Sequence, residues 1–429
     1  MSNIRKSIFF MLDRDKEIVN QISEIEKANT DDKFAYELKE KSISNLMQYV
    51  KKYVPFYQNC KANKFEEFPV VNKVMMKNDM EKFRSTADYT LGKIRHTSGS
   101  TGIPFEIYQD KKKAKRIQAE VIYYRDITGD ELGTKFINLI SPSRIENSSK
   151  LGEFKQNVIN FDVTKMDDTV MEKLHEVLVK NHQIKYMMGY ASALEKIANY
   201  FQEKNYHDKY YLKAIVSSSE VLTNAVMNSL NSIFGCPIYD RYSNEDNGFI
   251  AQTDGISHDF LLNRGSFFVE ILKMDSNEPA EENELGRIVI TDYFNYAQPF
   301  LRYDTGDLGS FSYKKIGECN RYIFTKIAGR ISDVVYDVDD KPISTFAIGC
   351  ALEVFSNIKQ YQLIQNNKAQ FTLNIIDAHK EYSNSDYIKA LQDVLGNDIN
   401  VTICYSDELP TLNSGKFHRV ICNYKPEKN

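Results

Sequence analysis

Six consecutive small residues follow His96 in the sequence: Thr97, Ser98, Gly99, Ser100, Thr101 and Gly102. The backbone N–H groups of such a loop can converge on an anion, and its hydroxyls add further donors, so the loop could hold a phosphate. A flexible surface turn has the same composition. A standard P-loop is excluded, because Gly102 is followed by Ile-Pro rather than by lysine and a hydroxyl residue.

Five further polar segments follow along the chain. They are SSSEVL (217–222), YDRYSNE (239–245), LRYDTGDLG (301–309), IAGRISD (327–333) and LPTLNSGKFHRV (409–420). Carboxylates in such segments can bind a ribose diol or a metal ion, and a lysine can stabilise phosphate charge. Taken alone, each acid also fits a surface or turn position, Tyr242 fits a buried aromatic, and Lys416 fits a lysine after a helix-terminating glycine.

In this order the segments resemble the motifs of the adenylate-forming superfamily, in particular the phenylacetate-CoA ligase family with its capsule-biosynthesis relatives. YVPFY (53–57) followed by FPVVNKVMMKNDM (68–80) looks like that family's N-terminal region, and GYASALEKIA (189–198) is similar to its glycine-tyrosine-proline-serine segment. The resemblance covers most of the chain. It implies activation of a carboxylic acid with ATP to an acyl adenylate and pyrophosphate, followed by transfer to a thiol.

The resemblance assigns phosphate and adenine contacts. The loop from Thr97 to Gly102 would hold the β- and γ-phosphates, which explains why it contains only small residues that pack poorly. Tyr242 would stack on adenine, and Asp240 would accept a hydrogen bond from its amino group. Ser219 and Glu220 would line the adenine site, although relatives generally have a glycine before the glutamate.

The resemblance also assigns the remaining catalytic groups. Asp307 would bind the ribose hydroxyls, and Arg330 would face the nucleotide. Ser332 falls at the hinge position, where relatives commonly carry an aspartate or lysine. Glu245 would bind Mg²⁺. Lys416 would stabilise the negative charge that develops on the α-phosphate and bridging oxygens in the transition state.

An acyl pocket is expected close to these motifs. Its residues would be Tyr190, Ser192, Ser243, Asn244 and Gly248. Ser243 stands where a glycine is usual and Asn244 precedes the glutamate, so the acid itself is not specified.

The elements that must position these residues indicate an α/β protein. Apolar positions recur at helical spacing from Asp31 to Lys52, and Pro55 ends that helix. Between Thr134 and Arg264 short β-rich runs alternate with helical ones, which predicts a mostly parallel sheet. We expect a large N-terminal adenylate-forming domain of sheets flanked by helices, residues 1–330, and a small mobile C-terminal α/β domain, residues 331–429.

Composition limits the partners. The chain has 55 basic and 59 acidic residues, so no strong field favours nucleic acid or an anionic membrane. The one basic run, KKKAKR (111–116), is interpreted as a solvated helix face. No apolar stretch approaches a membrane span. The six cysteines form no CxxC pair, which favours a reducing cytoplasm and no zinc site.

The implied cofactors are ATP and Mg²⁺, with CoA, a carrier-protein thiol or an amine as acceptor. The implied partners are a small carboxylate, an acyl-carrier protein and a second copy of the chain in a homodimer. One alternative is acyl or aminoacyl activation that decorates a cell-surface polysaccharide. Another is a nucleotide-binding sensor or scaffold without ligase activity, against which the presence of both Glu245 and Lys416 counts.

Overall fold

The computed structural model describes residues 16–97, 105–129, 133–141, 145, 150–316, 319–330, 334–343, 345–352, 354–355, 357–377, 382–410 and 417–426. Its longer helices are α1 (Lys16–Thr30), α2 (Asp32–Tyr53), α3 (Lys73–Asn78), α4 (Met80–Phe83), α5 (Lys111–Ile127), α6 (Lys150–Gln156), α7 (Asp168–Lys180), α8 (Ala191–Glu203), α9 (Asn224–Phe234), α10 (Thr345–Leu352) and α11 (Asn384–Leu395). Single 3₁₀ turns lie at Pro55–Tyr57, Phe65–Glu67 and Val163–Lys165.

The strands are β1 (Val71–Asn72), β2 (Leu91–Thr97), β3 (Phe105–Asp110), β4 (Lys135–Ile140), β5 (Val158–Asp162), β6 (Ile184–Tyr190), β7 (Ala214–Ser218), β8 (Ile238–Asn244), β9 (Gly248–Thr253), β10 (Phe260–Leu262), β11 (Phe267–Leu272), β12 (Gly286–Asp292), β13 (Tyr303–Ile316), β14 (Cys319–Arg330), β15 (Val335–Tyr336), β16 (Pro342–Ile343), β17 (Ile358–Asn367), β18 (Gln370–Asp377), β19 (Asn400–Tyr405) and β20 (Val420–Cys422). The chain divides into two compact units. One comprises Met1–Gly133 with Tyr239–Ile327, and the other comprises Thr134–Ile238 with Ala328–Asn429.

The first unit is built on a largely antiparallel sheet. Its strands lie in the order β11, β12, β13, β14, β10, β9 and β8, and β1 adds to β13 in parallel. Strands β2 and β3 form a separate antiparallel hairpin. One apolar core of this unit joins α2, the segment around Phe68, and Phe300, Leu301 and Tyr303 just before and at the start of β13.

Helix α2 confirms the helix predicted from apolar spacing. Its N-terminus is capped by Asp31, whose carboxylate accepts a hydrogen bond from the backbone N–H of Phe34. It ends at Tyr53, because Val54, which precedes Pro55, adopts an extended conformation.

The interpretation of the basic run as a solvated face is wrong, although the run does open helix α5. Lys113 and Arg116 are fully buried. The Lys113 ammonium lies 2.6 Å from a carboxylate oxygen of Asp292, and the Arg116 guanidinium lies 2.8 Å from one of Glu24. Buried charges persist only when they are paired, and sequence spacing does not reveal distant partners.

The second unit contains the predicted parallel sheet. Strands β7, β6, β4 and β5 are neighbours in that order and all pair in parallel. The alternation of strands and helices predicted from Thr134 onward is therefore confirmed as far as β7. Towards Arg264 the prediction of parallel pairing is wrong: β9 pairs antiparallel with β8 and with β10, because short connections join antiparallel strands. Apolar faces of α7, α8 and α9 share one core with these strands.

The C-terminal part of the second unit has its own sheet and core. Strands β19, β18, β17 and β20 form a mixed sheet, and α10 and α11 contribute Ile348, Leu352, Tyr387 and Leu391 to its apolar core. The predicted fold class, a large α/β part with a smaller C-terminal one, is confirmed. The exact boundary at residue 330 stays a prediction. Within the described ranges, no helix is long and apolar enough to cross a membrane.

Candidate functional site

The small-residue loop connects two paired strands. Thr97, the last residue of β2, is the register partner of Phe105, the first residue of β3. Phe105 is fully buried and packs in the core of the first unit. The two ends of the loop are thus fixed next to each other. Ser98, Gly99, Ser100, Thr101 and Gly102 lie outside the described residues.

Tyr242 and Asp307, two of the predicted nucleotide contacts, meet in the first unit. The Tyr242 hydroxyl donates a hydrogen bond of 2.6 Å to Oδ2 of Asp307. Asp240 lies on the same buried face of β8 as Tyr242, because side chains of a strand alternate between its faces. The Tyr242 ring is 9% exposed and lies edge-on to Phe324 at 6.1 Å between centroids. The aromatic ring and the carboxylate therefore form one cluster.

A tight turn at the start of β13 orients Asp307. Gly306 has φ of +77°, a conformation that glycine adopts without steric cost, and its N–H donates to Asp304 at 2.9 Å. Asp304 is held in turn by the Arg287 guanidinium at 2.6 Å. The backbone N–H of Asp307 donates to the hydroxyl of Thr305 at 3.1 Å. Three polar contacts thus fix the backbone from which the Asp307 carboxylate projects.

Glu245 lies at the tip of the turn between β8 and β9. Asn244 pairs with Gly248 across the turn, and its side-chain oxygen accepts a hydrogen bond of 2.7 Å from the N–H of Asn247. The Glu245 side chain is 44% exposed, and its carboxylate lies 3.5 Å from the guanidinium of Arg95. Ser243, Asn244, Glu245 and Gly248 are therefore brought together.

Helix α5 holds the base of this turn. The N–H of Phe249 donates to Oε2 of Glu120 at 3.2 Å, and its carbonyl accepts from Asn263 Nδ2 at 2.9 Å. The Phe249 ring stacks on Tyr124 with centroids 3.8 Å apart. A Cβ atom on Gly248, which has φ of +110°, would lie 2.8 Å from Oε2 of Glu120. Glycine at 248 lets the turn approach the buried carboxylate.

The sequence did not point to Arg95, Glu120 or Asp246. Burial raises the pKa of the Glu120 carboxyl, and the charges of Lys113 and Arg116 oppose that effect. Asp246 accepts a hydrogen bond of 2.6 Å from the buried Tyr303 hydroxyl. For Glu120, a signal was present in the sequence: the spacing of Lys113, Arg116 and Glu120 places three charges on one face of a helix.

In the second unit, Glu220 bridges two backbone groups. Its Oε2 accepts a hydrogen bond of 2.8 Å from the N–H of Ser192, in the first turn of α8, and its Oε1 accepts one of 2.9 Å from the N–H of Phe417. Tyr190, at the N-cap of α8, makes no capping bond with its own side chain. Glu220 therefore caps the helix from outside, where a negative charge is favoured by the helix dipole.

Ser219 adopts a backbone conformation that favours glycine. Its φ is +72°, in the left-handed region. The resemblance leads us to expect a glycine before the glutamate, and a glycine would adopt this conformation without steric cost.

Three predicted residues remain: Arg330, Ser332 and Lys416. Arg330 ends β14 with an exposed side chain. Lys416 and Ser332 lie outside the described residues. Their predicted roles stay predictions.

Comparisons with known proteins cover nearly the whole chain. Residues 335–423 match the family model described as the CapK C-terminal domain. Protein CapK of Staphylococcus aureus is 21% identical over 449 aligned residues, which cover 99% of this chain and 96% of that protein.

Solved structures give the same picture at the level of fold. A 2-hydroxyisobutyryl-CoA ligase in the postadenylation state, in complex with R3-HIB-AMP, is similar with a TM-score of 0.66 and 16% identity, covering 89% of this chain and 88% of that one. The chain has the fold of the adenylate-forming ligases. ATP-bound MatB from Rhodopseudomonas palustris is similar with a TM-score of 0.55, at 12% identity over 76% of this chain and 66% of that one.

The amide bond synthetase McbA from Marinactinospora thermotolerans shares the adenylate-forming fold as well. Its TM-score is 0.54 at 12% identity, over 76% of this chain and 67% of that one. The resemblance to the adenylate-forming superfamily and its capsule-biosynthesis relatives is thereby confirmed.

Proposed function

We propose that the protein is an ATP-dependent ligase that converts a carboxylic acid into an acyl adenylate, releases pyrophosphate and transfers the acyl group to an acceptor. The observation that carries the proposal is the 2.6 Å hydrogen bond between Tyr242 and Asp307. These residues lie on different strands and are 65 positions apart. The hydrogen bond supports the proposal because it joins the ring proposed to stack on adenine to the carboxylate proposed to bind the ribose.

The nucleotide contacts divide by chemistry. Asp307 accepts hydrogen bonds from the ribose hydroxyls, since an ionised carboxylate has acceptor capacity beyond the bond from Tyr242. Asp240 and Tyr242 recognise adenine by a hydrogen bond and by stacking. Ser219 and Glu220 line the adenine site, and Arg330 contacts the nucleotide.

Glu245 suits a magnesium ion. Mg²⁺ is usually held by one or two carboxylates together with substrate phosphates, and the Glu245 carboxylate is partly exposed at the tip of a fixed turn. Within the described part of the chain, no three His, Cys, Asp or Glu side chains cluster into a complete cage. A shared site with the phosphates is therefore the arrangement that this carboxylate fits. The ion, when bound, neutralises phosphate charge as pyrophosphate leaves.

Two further groups act on the phosphates. The residues from Thr97 to Gly102 donate backbone and hydroxyl hydrogen bonds to the β- and γ-phosphates. Lys416 stabilises the charge that develops at the α-phosphate, a contact made mainly in the transition state.

The acyl group lies near Tyr190, Ser192, Ser243, Asn244 and Gly248 in this proposal. A phenylacetate-CoA ligase-like reaction, with CoA or a carrier-protein thiol as acceptor, is the leading form. The similarity to CapK along 99% of the chain favours a second form, in which the activated acyl or aminoacyl group decorates a cell-surface polysaccharide. The two forms share the adenylate and differ in the acceptor.

The test is carboxylate-dependent pyrophosphate release from ATP and Mg²⁺, measured with aryl, fatty, hydroxy and amino acids in turn. We expect release with one class of acid, followed by product formation with a thiol or an amine. ATP binding without release for any acid would instead identify a nucleotide-binding sensor or scaffold.

A further inference from the structure

Helix α8 carries a polar stripe along one face, formed by Ser192, Glu195, Asn199 and Glu203. Their spacing of three, four and four residues places them in a line along the helix. The opposite face carries Leu194, Ile197 and Phe201, which are buried in the core beneath the parallel sheet. The polar stripe therefore faces away from that apolar core.

The polar stripe contacts two segments of the C-terminal part of the same unit. An Arg419 nitrogen lies 2.6 Å from Oε2 of Glu195. Further along, Asn199 Nδ2 donates to the carbonyl of Lys359 at 3.1 Å, and the Lys359 ammonium pairs with Glu203. Helix α8 is therefore joined to the C-terminal part by polar contacts at Glu195, Asn199 and Glu203.

The Glu195–Arg419 pair is partly buried and the outer pair is not. The side chains of Glu195 and Arg419 are both 13% exposed, whereas those of Lys359 and Glu203 are 37% and 46% exposed. Burial alone would lower the pKa of the Arg419 guanidinium, but the charges of Glu195, Tyr361 and Glu220 outweigh burial and raise it. A pair shielded from water is held in one geometry more strictly than an exposed one.

The segment from Phe417 to Arg419 is fixed on both sides. Glu220 accepts the Phe417 N–H at 2.9 Å on the side of α8. On the other side, the N–H of Leu363 donates to the carbonyl of Arg419 at 2.8 Å, and Gln362 Nε2 donates to the carbonyl of His418 at 3.0 Å. This segment, named here the anchored segment, begins directly after Lys416.

We propose that Glu195 and Arg419 are positioning residues for the adenylation step. The inference rests on the proposed function, in which Lys416 acts on the α-phosphate. The ion pair, together with Glu220, holds the anchored segment against α8 and so sets where the preceding lysine can reach. A displacement of about 1 Å at a reacting group can lower a rate by up to about 10²-fold, so one ion pair suffices for a measurable effect.

The test uses charge reversal at both positions. The variants Glu195→Arg, Arg419→Glu and the double reversal are compared with wild type for kcat and for KM for ATP in pyrophosphate release. We expect each single reversal to lower kcat by about ten-fold or more while KM changes less than about three-fold. We expect the double reversal to recover most of the loss, since it restores the pair. Glu195→Gln and Arg419→Lys provide milder variants if a reversal prevents folding.

The matched control is the outer pair on the same helix. Glu203→Lys and Lys359→Glu change the same charges at an exposed site, and we expect kcat within about two-fold of wild type. Hydrogen exchange of the peptide containing Phe417 gives a readout independent of activity. Exchange should rise in the single reversals and fall again in the double reversal.

The decisive comparison is made in a Lys416→Ala background. If the pair acts through Lys416, Arg419→Glu lowers the residual rate by less than about two-fold in that background. An equal loss with and without the lysine, or folded single reversals with wild-type kcat, would overturn the positioning role and leave the proposed function standing. A wild type that releases no pyrophosphate with any acid would refute the proposed function itself, and the positioning role with it.

Discussion

At the scale of single residues, the Tyr242 hydroxyl and the Asp307 carboxylate link the two strands expected to hold adenine and ribose. The bond of 2.6 Å joins a phenol to a charged acceptor, and such bonds are stronger than those between neutral groups. The bond also limits the rotation of Asp307, so the carboxylate is oriented before a nucleotide arrives.

Tyr242→Phe keeps the aromatic ring and removes the hydroxyl. We expect the Kd for ATP to rise by about ten-fold, because Asp307 loses the contact that orients it. Isothermal titration calorimetry measures this directly. Tyr313→Phe, at an exposed position on the same strand as Asp307, is the matched control. An unchanged Kd in Tyr242→Phe would show that this hydrogen bond does not contribute to ATP binding.

Ser219 is a residue in the left-handed region that glycine would occupy more easily. We expect Ser219→Gly to stabilise the protein by about 0.5–1 kcal/mol, since relief of steric strain exceeds the added entropy of the unfolded chain. The midpoint of urea unfolding provides the measurement. Ser218→Gly, in strand β7, should lower the midpoint instead. A lower midpoint for Ser219→Gly would contradict this expectation and show that the serine hydroxyl stabilises the fold by more than the backbone strain costs.

At the scale of elements, helix α5 is hydrogen-bonded to the base of the turn that carries Glu245. Glu120 accepts the N–H of Phe249, and Lys113 and Arg116 surround it with positive charge. The sequence predicted a helix at the basic run KKKAKR (111–116) but placed its basic face in solvent. The error has a physical cause: Asp292 and Glu24, which neutralise these charges, lie far away in the sequence.

Glu120→Gln tests the cost of this buried carboxylate. The folded-state pKa of Glu120 lies above the ordinary value of 4.5 because the group is buried. The folded protein therefore binds more protons than the unfolded chain between 4.5 and the raised pKa, and the free energy of unfolding falls as pH rises through this window. We expect the difference in free energy of unfolding, wild type minus Glu120→Gln, to decrease as pH rises above about 4.5. Urea unfolding at several pH values measures it, and a pH-independent difference would contradict the assignment.

At the scale of the whole molecule, the alternation of strands and helices between residues 134 and 238 was predictable from local patterns, and the parallel sheet confirms it. The order of the motifs was enough to predict the fold class. Contacts such as Glu195 with Arg419 were not predictable, because they join positions 224 residues apart and depend on which faces of two elements meet. Both residues lie in segments that the sequence singled out, GYASALEKIA (189–198) and LPTLNSGKFHRV (409–420), but neither segment by itself shows that the two side chains meet.

The central claim, formation of an acyl adenylate, is tested most directly by exchange of labelled pyrophosphate into ATP in the presence of a carboxylic acid. The exchange requires reversible adenylation and no acceptor. We predict exchange that depends on one class of acid, falls by about 10²–10³-fold in Lys416→Ala and falls strongly in Asp307→Ala. Absence of exchange with every class of acid, in a folded protein that binds ATP and Mg²⁺, would contradict the account.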